Sequence, residues 1–315
     1  MKQLVIMIVF FVLAALVMPL CVFFIINADK PKAETDADRT ISVYFKDENE
    51  VRQMDIEEYL TGVVAAEVPA SFEEEAIKAQ AVAARSYAVY RAQKVNSDHP
   101  DAAVCTDYTH CKAYKSPEKA RMDWGEKADE YEKKIHDSVY STKGEVLTYD
   151  GDVALTVFHS QSSGGRTENS ADVWGGNLPY LVSVESHGEE NAPGFFSSKD
   201  MTFEEFKDTI HEARPGVKIN SPQDIGKTNT SDGGNVKSIE IGTEVFSGTE
   251  IRSIFSLRSS CFKITADENK VHFDVTGYGH GVGMSQYGAN QMAKEGCTYE
   301  QILTHYYTGT CLDYV

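Results

Sequence analysis

The sequence contains one carboxylate in a setting that suits acid–base chemistry. Glu67 lies within residues 59–72, among small apolar residues and directly before the Val68-Pro69 break. Desolvation by such neighbours favours the protonated form of a carboxyl group, which is the form that donates a proton. On local sequence alone, an ordinary and partly exposed glutamate at a helix junction is the simpler interpretation. If the protein is an enzyme, Glu67 is the expected general acid and base.

A cluster of cysteine and histidine residues offers a second kind of chemistry. His99, Cys105, His110 and Cys111 place four nitrogen or sulfur ligands within 13 residues, enough for a tetrahedral zinc site. A Cys105–Cys111 disulfide, unrelated surface histidines and the steric difficulty of using two adjacent ligands are the alternatives. The flanking histidines favour zinc. The zinc would be structural, because four protein ligands leave no open position for a water molecule.

A positively charged residue on the following predicted helix is a possible substrate ligand. Arg85 lies seven residues after Lys78, so the two side chains share one helix face. A solvated face is one interpretation, and a role for Arg85 in holding a substrate carboxylate is the other.

His159 and Ser162 suggest a rival chemistry, a serine nucleophile with a histidine base. The chain has no Gly-x-Ser-x-Gly elbow here, and residues 283–288 have the wrong spacing for one. A Ser/Gly turn without chemistry fits better. A turn whose hydroxyl groups and amides line a saccharide groove is the next interpretation.

The glycine-rich stretch at residues 277–283 does not match Gly-x-Gly-x-x-Gly, which excludes a dinucleotide fingerprint. A glycine turn before a helix still lets a ligand approach the backbone amides closely. His280 within it could either hydrogen bond inside the turn or contact a substrate.

Several of these motifs together resemble the family of stage II sporulation protein D, which also contains the amidase enhancers. The motifs are Glu67-Val-Pro, residues 76–88, Ser162-Ser-Gly-Gly-Arg-Thr167, Val173-Trp174, residues 179–181 and residues 279–289. Each is weak alone, but their order is specific. Lys112 departs from the Cys-Gln-x-Tyr pattern that is typical of the family after Cys111, so no role is transferred to it.

The resemblance implies a lytic transglycosylase that cleaves peptidoglycan glycan strands, stripped of stem peptides, during forespore engulfment. Glu67 would be its single catalytic residue, and the product would carry a 1,6-anhydro ring. The expected substrate-binding residues are Arg85, His159, Ser162, Ser163, Thr167, His280 and Gln286. A non-catalytic glycan-binding protein that enhances a peptidoglycan amidase is the alternative. The resemblance also suggests a complex with an amidase and a polytopic membrane protein.

The elements that must position these residues can be read from local signals. Asp55 begins one predicted helix and Ser71 a second, which runs from Phe72 to about Gln93. Asp150-Gly151 predicts a tight turn between two strands. The other predicted elements are strands at residues 41–45, 143–149, 154–159, 236–242 and 271–275 and helices within residues 195–212, 285–295 and from 298 onward.

The chain start predicts a membrane anchor. Residues 4–26 carry no charge and are long enough to cross a bilayer as a helix. No Ala-x-Ala cleavage site follows, so an anchor is preferred over a removed signal peptide. The lysines on the two sides give no clear orientation by charge alone. The resemblance implies a single-pass cell-membrane protein whose long C-terminal part is extracytoplasmic, between mother cell and forespore.

The predicted fold class is α+β, with an N-terminal transmembrane helix and an ectodomain that combines a helical part around Glu67 with a β-rich part. The predicted domains are a cytoplasmic tip and anchor (1–28), a linker (29–40) and the ectodomain (41–315), with a smaller β-rich subdomain within about 196–275. The net charge of −18 argues against nucleic acid as a partner. Five ectodomain cysteines leave at least one without a disulfide partner in the chain.

Overall fold

The computed structural model describes residues 40–94 and 98–315, which form a mixed α+β structure. The predicted fold class is corrected in one respect: no helix in these ranges combines the length and apolar character that crossing a bilayer requires. The predicted anchor at residues 4–26 and the linker residues 29–39 lie outside the described residues. The domain boundaries stay predictions.

The described ranges contain nine α-helices, which we number in chain order. They are α1 (Ile56–Glu67), α2 (Glu74–Ala92), α3 (Pro117–Trp124), α4 (Ala128–Ser141), α5 (Ser170–Trp174), α6 (Phe203–Ala213), α7 (Gly248–Ile254), α8 (Gln286–Lys294) and α9 (Tyr299–Tyr306). Two short 3₁₀ helices span Gly125–Lys127 and Pro222–Asp224.

The described strands are short and form several small sheets. They are β1 (Thr40–Phe45), β2 (Glu50–Asp55), β3 (Val104–Cys105), β4 (Glu145–Tyr149), β5 (Asp152–Val153), β6 (Phe158–His159), β7 (Phe196–Thr202), β8 (Ile225–Thr230), β9 (Val236–Ile241), β10 (Glu244–Phe246), β11 (Phe262–Ala266), β12 (Lys270–Thr276), β13 (Met284–Ser285) and β14 (Cys311–Tyr314). The sheet orders are β2-β1-β3, β14-β4-β5, β13-β6, β10-β9-β8 and β11-β12-β7.

Helix α1 begins and ends where local signals predict. The Asp55 carboxylate accepts hydrogen bonds from the Glu57 and Glu58 N–H groups at 2.8 and 3.1 Å, which caps the helix. Val68 is extended, with φ −125° and ψ 148°, as expected for a residue before Pro69. The first helix therefore stops directly after Glu67.

Helix α2 lies at the centre of the main core. It packs against α1, α4, α8, α9 and β4, and most of its residues are buried. The predicted cap at Ser71 is wrong, because Glu73 precedes the first helical residue and its N–H donates to Asn290 Oδ1 at 2.8 Å. An alanine-rich sequence lets neighbouring elements approach α2 on all sides.

The strands around His159 differ from the prediction. Asp150 and Gly151 have φ values of 52° and 88°, so the predicted tight turn between β4 and β5 is confirmed. The second strand is not continuous. Its last part, β6, leaves that sheet and pairs in parallel with β13, which aligns Ser285 with His159. This pairing brings the glycine-rich turn beside the His159 segment.

A second hydrophobic core lies within residues 203–275. Phe206, Phe255 and Phe273 pack together in it, with ring centroids 5.1 to 6.4 Å apart. The helix predicted within residues 195–212 is confirmed as α6, which begins at Phe203 because β7 occupies residues 196–202. β7 pairs with β12, and the side chains of Thr202 and Glu205 form a capping box that starts α6 after the strand.

Candidate active site

Glu67 is half-buried and held by two amide groups. Its Oε1 atom accepts a hydrogen bond from the Ala113 N–H at 3.1 Å. Its Oε2 atom lies 3.5 Å from Gln286 Nε2. Within the described residues, no lysine or arginine forms an ion pair with this carboxylate. The protein therefore orients the carboxyl group without neutralising it.

Gln286 connects the carboxylate to the central helix. It is the first residue of α8, and its Nε2 atom also lies 3.4 Å from Gln80 Oε1 on α2. The Gln80 Nε2 atom is buried and has no hydrogen-bond partner in the described part of the chain. Of the predicted substrate-binding residues, Gln286 is the one that the structure places against Glu67.

Lys112 brings a positive charge to the same place. Its Nζ atom lies 3.6 Å from the ring centroid of Phe158 and 4.7 Å from that of Tyr87. Burial lowers the pKa of Lys112, while the neighbouring Glu67 and Cys111 act in the opposite direction. Sequence reasoning assigned this residue no role.

His159 and Ser162 form a buried pair beneath the glycine-rich turn. His159 Nε2 lies 2.9 Å from Ser162 Oγ, and its Nδ1 lies 3.2 Å from the Val282 carbonyl oxygen. Since a carbonyl only accepts, Nδ1 donates and Nε2 accepts from the hydroxyl. Burial lowers the pKa of His159 to about 4.

This burial corrects two predicted substrate contacts. His159 and Ser162 are 4% and 1% exposed, so neither side chain reaches a polysaccharide. The Ser162 N–H donates to Glu189 Oε2 at 2.8 Å, which ties the loop further into the fold. The same lack of exposure argues against Ser162 as a nucleophile.

His280 lies in the turn beside an exposed aromatic ring. Its Nδ1 atom accepts a hydrogen bond from the Val282 N–H at 3.1 Å, as in the intraturn interpretation. Burial lowers the pKa of His280 well below its usual value, and nearby His159 and Lys112 lower it further. The ring of Trp174, 48% exposed, lies 5.1 Å away. Trp174 offers an apolar face suited to a sugar ring, and only its place in a Val-Trp motif hinted at this.

The glycines of the turn are required by close packing. Gly279 has φ +119°, and a Cβ atom there would lie 2.7 Å from His159 Cβ. Gly283 has φ +72°, and a Cβ atom there would lie 2.1 Å from the Val157 carbonyl oxygen. Only glycine allows this backbone path without strain.

Arg85 is a structural residue, and its predicted role as a substrate ligand is wrong. The side chain is 1% exposed. Its Nη2 atom lies 2.5 Å from Glu57 Oε2 and 3.1 Å from the Val139 carbonyl oxygen. Its Nη1 atom donates to the Glu145 carbonyl oxygen at 3.0 Å. Because the guanidinium is buried and bonded to these partners inside the fold, it is not available to bind a ligand.

Two further predicted contacts also lie away from the carboxylate. Thr167 is fully buried, and its hydroxyl accepts a hydrogen bond from the Val184 N–H at 2.9 Å. Ser163 is half-buried and hydrogen bonds to Cys261, where it partly opposes the rise that burial causes in the pKa of that thiol. Thr167 is therefore corrected to a structural role, while a substrate contact by Ser163 stays a prediction.

Three of the four predicted metal ligands lie close enough together to share one ion. The ligand atoms of His99, Cys105 and His110 all lie within 4.8 Å of one another. His110 Nδ1 lies 3.2 Å from Cys105 Sγ and 3.5 Å from Cys111 Sγ. Its Nε2 atom lies 2.9 Å from Asp98 Oδ2, the outer carboxylate that metal-bound histidines commonly have.

A tight turn resolves the steric objection to adjacent ligands. The His110 and Cys111 N–H groups both donate to the Asp107 carbonyl oxygen, at 3.1 and 2.8 Å. This turn directs both side chains toward Cys105. Both cysteines are free thiols in the structure, and burial raises the pKa of Cys105. Two thiols and two imidazoles fit a tetrahedral structural zinc site. Zinc occupancy stays a prediction.

Comparison with known proteins places the chain in a family. A family model described as "Stage II sporulation protein" matches residues 44–149. Stage II sporulation protein D of Bacillus subtilis (strain 168) is 38% identical over 274 residues, which cover 86% of this chain and 78% of that protein. The chain belongs to the stage II sporulation protein D family. The Bacillus amyloliquefaciens protein of the same name is 34% identical over 272 residues, 86% of this chain and 77% of that protein.

The family also connects this chain to a second kind of protein. The amidase enhancer of Bacillus subtilis (strain 168) is 28% identical over 303 residues, which cover 80% of this chain and 40% of that protein. The resemblance to the sporulation protein D and amidase enhancer family is thereby confirmed. The family-model match contains Glu67, the Cys/His cluster and Lys112.

Two clefts flank the end of α1 in this family member. One, of about 440 Å³, opens beside Pro69 and Phe72 and is also lined by Tyr287 and Asn290. Its mixture of aromatic and amide groups suits a saccharide. The other, of about 290 Å³, lies on a face of α1 that includes Glu58 and does not include Glu67. Glu67 does not line the first cleft either, but that cleft begins at Pro69, two residues after it.

Proposed function

We propose that this sporulation protein D family member is a lytic transglycosylase of the cell wall. It cleaves the bond between N-acetylmuramic acid and N-acetylglucosamine in peptidoglycan strands that have lost their stem peptides, during forespore engulfment. One observation carries the proposal. Glu67 is half-buried with both carboxylate oxygens oriented by amides, and no second carboxylate contacts it in the described residues.

A single carboxyl group is sufficient for this reaction. Protonated Glu67 gives its proton to the glycosidic oxygen as the bond from that oxygen to the muramyl C1 breaks. The carboxylate then takes the proton of the muramyl C6 hydroxyl, whose oxygen closes on C1 as a 1,6-anhydro ring. Glu67 ends protonated, and no water is consumed. Most glycoside hydrolases need a second carboxyl group because their nucleophile is water or the enzyme itself.

The surroundings of Glu67 support a glycan substrate. The Ala113 N–H and the Gln286 amide hold the carboxyl group in one orientation while it alternates between acid and base. The exposed ring of Trp174 beside His280, and the cleft that begins at Pro69 and Phe72, supply aromatic surfaces of the kind on which sugar rings pack.

We also propose that His99, Cys105, His110 and Cys111 bind a structural zinc ion. Cys111 lies two residues before Ala113, so a metal that fixes this loop also fixes the N–H group that orients Glu67. Elemental analysis of the purified full chain should find about one zinc per chain, and Cys111→Ser should lose it. Metal-free protein at neutral pH would contradict this assignment.

Location and partners belong to the same proposal. A peptidoglycan substrate requires the described part of the chain to lie outside the cytoplasm. The similarity to an amidase enhancer supports a functional link with a peptidoglycan amidase. A polytopic membrane protein of the engulfment machinery is the further partner that we propose.

The direct test compares Glu67→Gln with Glu58→Gln, a control on an exposed position of the same helix. Both variants should fold like the parent chain. Incubation with stripped glycan strands should yield 1,6-anhydro products from the parent and from Glu58→Gln but none from Glu67→Gln. Undiminished product release by Glu67→Gln would refute the assignment.

A second function is favoured by one observation, the similarity to the amidase enhancer. In that case the chain binds glycan and stimulates an amidase without cleaving strands itself. The parent chain would then increase amidase activity but give no anhydro products, and Glu67→Gln would stimulate the amidase as well as the parent does.

A further inference from the structure

Lys112 places an ammonium group next to the proposed catalytic carboxyl. The residue precedes Ala113, whose N–H donates to Glu67 Oε1, so the chain segment that carries Lys112 contacts the Glu67 carboxylate. The ammonium packs on the faces of Phe158 and Tyr87 at 3.6 and 4.7 Å. Its position is therefore defined by packing, and it lies at the site instead of projecting freely into solvent.

This ammonium forms no ion pair inside the described fold, although the Glu67 carboxylate is a neighbour. Lys115 in the same loop pairs with Asp123 at 3.0 Å, as does Lys119 at 2.9 Å. Lys112, in contrast, forms no ion pair in the described residues, and its Nζ atom lies over two ring faces. A partly desolvated cation without a directly paired carboxylate is unfavourable, and aromatic rings compensate for this only in part. The arrangement suits an anion that arrives with the ligand.

The proposed substrate carries such an anion. Each N-acetylmuramic acid bears a lactyl ether at C3 that ends in a carboxyl group. In a strand with stem peptides this group is an uncharged amide, and after an amidase removes the peptide it is a free carboxylate. A carboxylate is the natural partner of a lysine ammonium. Arg85, the other basic residue considered for this role, is completely occupied inside the fold.

We propose that Lys112 binds the free lactyl carboxylate of the muramyl residue at the Glu67 site. This inference rests on the proposed function and makes Lys112 a specificity residue for strands without stem peptides. The class of reaction that must supply the substrate is amide hydrolysis at the lactyl carboxyl group. A glycan of N-acetylglucosamine alone lacks this group and should not use Lys112.

The test measures binding of the full chain carrying Glu67→Gln, so that no turnover interferes. The two ligands are stripped peptidoglycan oligosaccharides and chito-oligosaccharides of the same length. Adding Lys112→Gln should weaken binding of the stripped oligosaccharide about tenfold and leave chito-oligosaccharide affinity unchanged, as expected for the loss of one charged contact. Lys112→Arg should restore most of the affinity. Lys115→Gln is the matched control and should change neither affinity.

Three results would overturn the inference. Equal loss of both affinities in Lys112→Gln would show that the residue only supports the site. Unchanged binding of both ligands would show that the lactyl carboxylate is recognised elsewhere, with the proposed function intact. Absence of binding to either glycan before Lys112 is changed would refute the glycan site itself and the inference with it.

Discussion

Arg85 and Lys112 are two basic residues of the main core that differ in their partners inside the fold. The Arg85 guanidinium lies under α1 and donates to Glu57 and to the carbonyl oxygens of Val139 and Glu145. The Lys112 ammonium lies beside Glu67 against two aromatic rings and has no ion pair among the described residues. A cation is structural when its hydrogen-bond donors are already bonded inside the fold, and it is available to a ligand when they are not. Neither the charge nor the position on a helix makes this distinction.

The largest effect should come from removing the structural cation. Arg85→Met leaves the buried Glu57 carboxylate without its partner, and breaking such a pair destabilises proteins by about 3–5 kcal/mol. Urea unfolding followed by circular dichroism measures this loss. Arg121→Met is the control, because the ion pairs of Arg121 in the described residues lie on the surface and its removal should change stability little.

A different outcome at Arg85 would reverse the comparison. If Arg85→Met were as stable as the parent chain and bound stripped glycan more weakly, Arg85 would be a substrate ligand after all.

His159 extends the comparison to pH. Its internal partners are also complete, and burial lowers its pKa to about 4. In the unfolded chain His159 takes up a proton near pH 6.5, whereas in the folded chain it does so only near pH 4. The free energy of unfolding therefore falls as pH decreases from about 6.5 to about 4. The difference between the pKa values of His159 in the unfolded and folded chains corresponds to about 3 kcal/mol of stability.

The measurement is the free energy of unfolding against pH, compared between the parent chain and His159→Gln. The difference between the two curves isolates this residue from the carboxylates that titrate in the same range. In His159→Gln the unfolding free energy should depend less strongly on pH between about 6.5 and 4 than in the parent chain. Parallel curves would show that His159 is protonated as readily in the folded as in the unfolded chain.

The smallest stability effect should come from Lys112. Lys112→Gln removes contacts with aromatic rings worth about 0.5–2 kcal/mol but also relieves the desolvation of a charge without an ionic partner. The net change in unfolding free energy should be below about 1 kcal/mol. Urea unfolding of the full chain gives the value. If Lys112→Gln lowered the unfolding free energy as much as Arg85→Met does, Lys112 would be a structural residue like Arg85.

Signals local in the sequence were sufficient for much of the site. Asp55 as a helix cap and Pro69 as a break place Glu67 at the end of α1, and both depend only on neighbouring backbone. Asp150-Gly151 predicts its turn for the same reason. The Cys/His spacing identified a cluster because its members lie close together in the chain.

Long-range packing determined what the sequence could not show. Arg85 lies on an alanine-rich helix that other elements surround, so spacing from Lys78 could not reveal that its face is internal. His159 was predicted in a strand that pairs with residues 143–149, but its strand pairs with β13, where Ser285 lies opposite it and more than a hundred residues later in the chain. Lys112 drew no prediction because it departs from the family pattern, and only the fold places it near Glu67 and Phe158.

The central claim is that one carboxyl group suffices because the substrate supplies its own nucleophile. Digestion of stripped glycan strands by the full chain in ¹⁸O-labelled water, followed by mass spectrometry of the new ends, tests it most directly. The account predicts products lighter by one water than reducing ends and free of ¹⁸O, formed by the parent chain and absent with Glu67→Gln. Reducing ends that carry ¹⁸O would show that water is the nucleophile and would contradict the account.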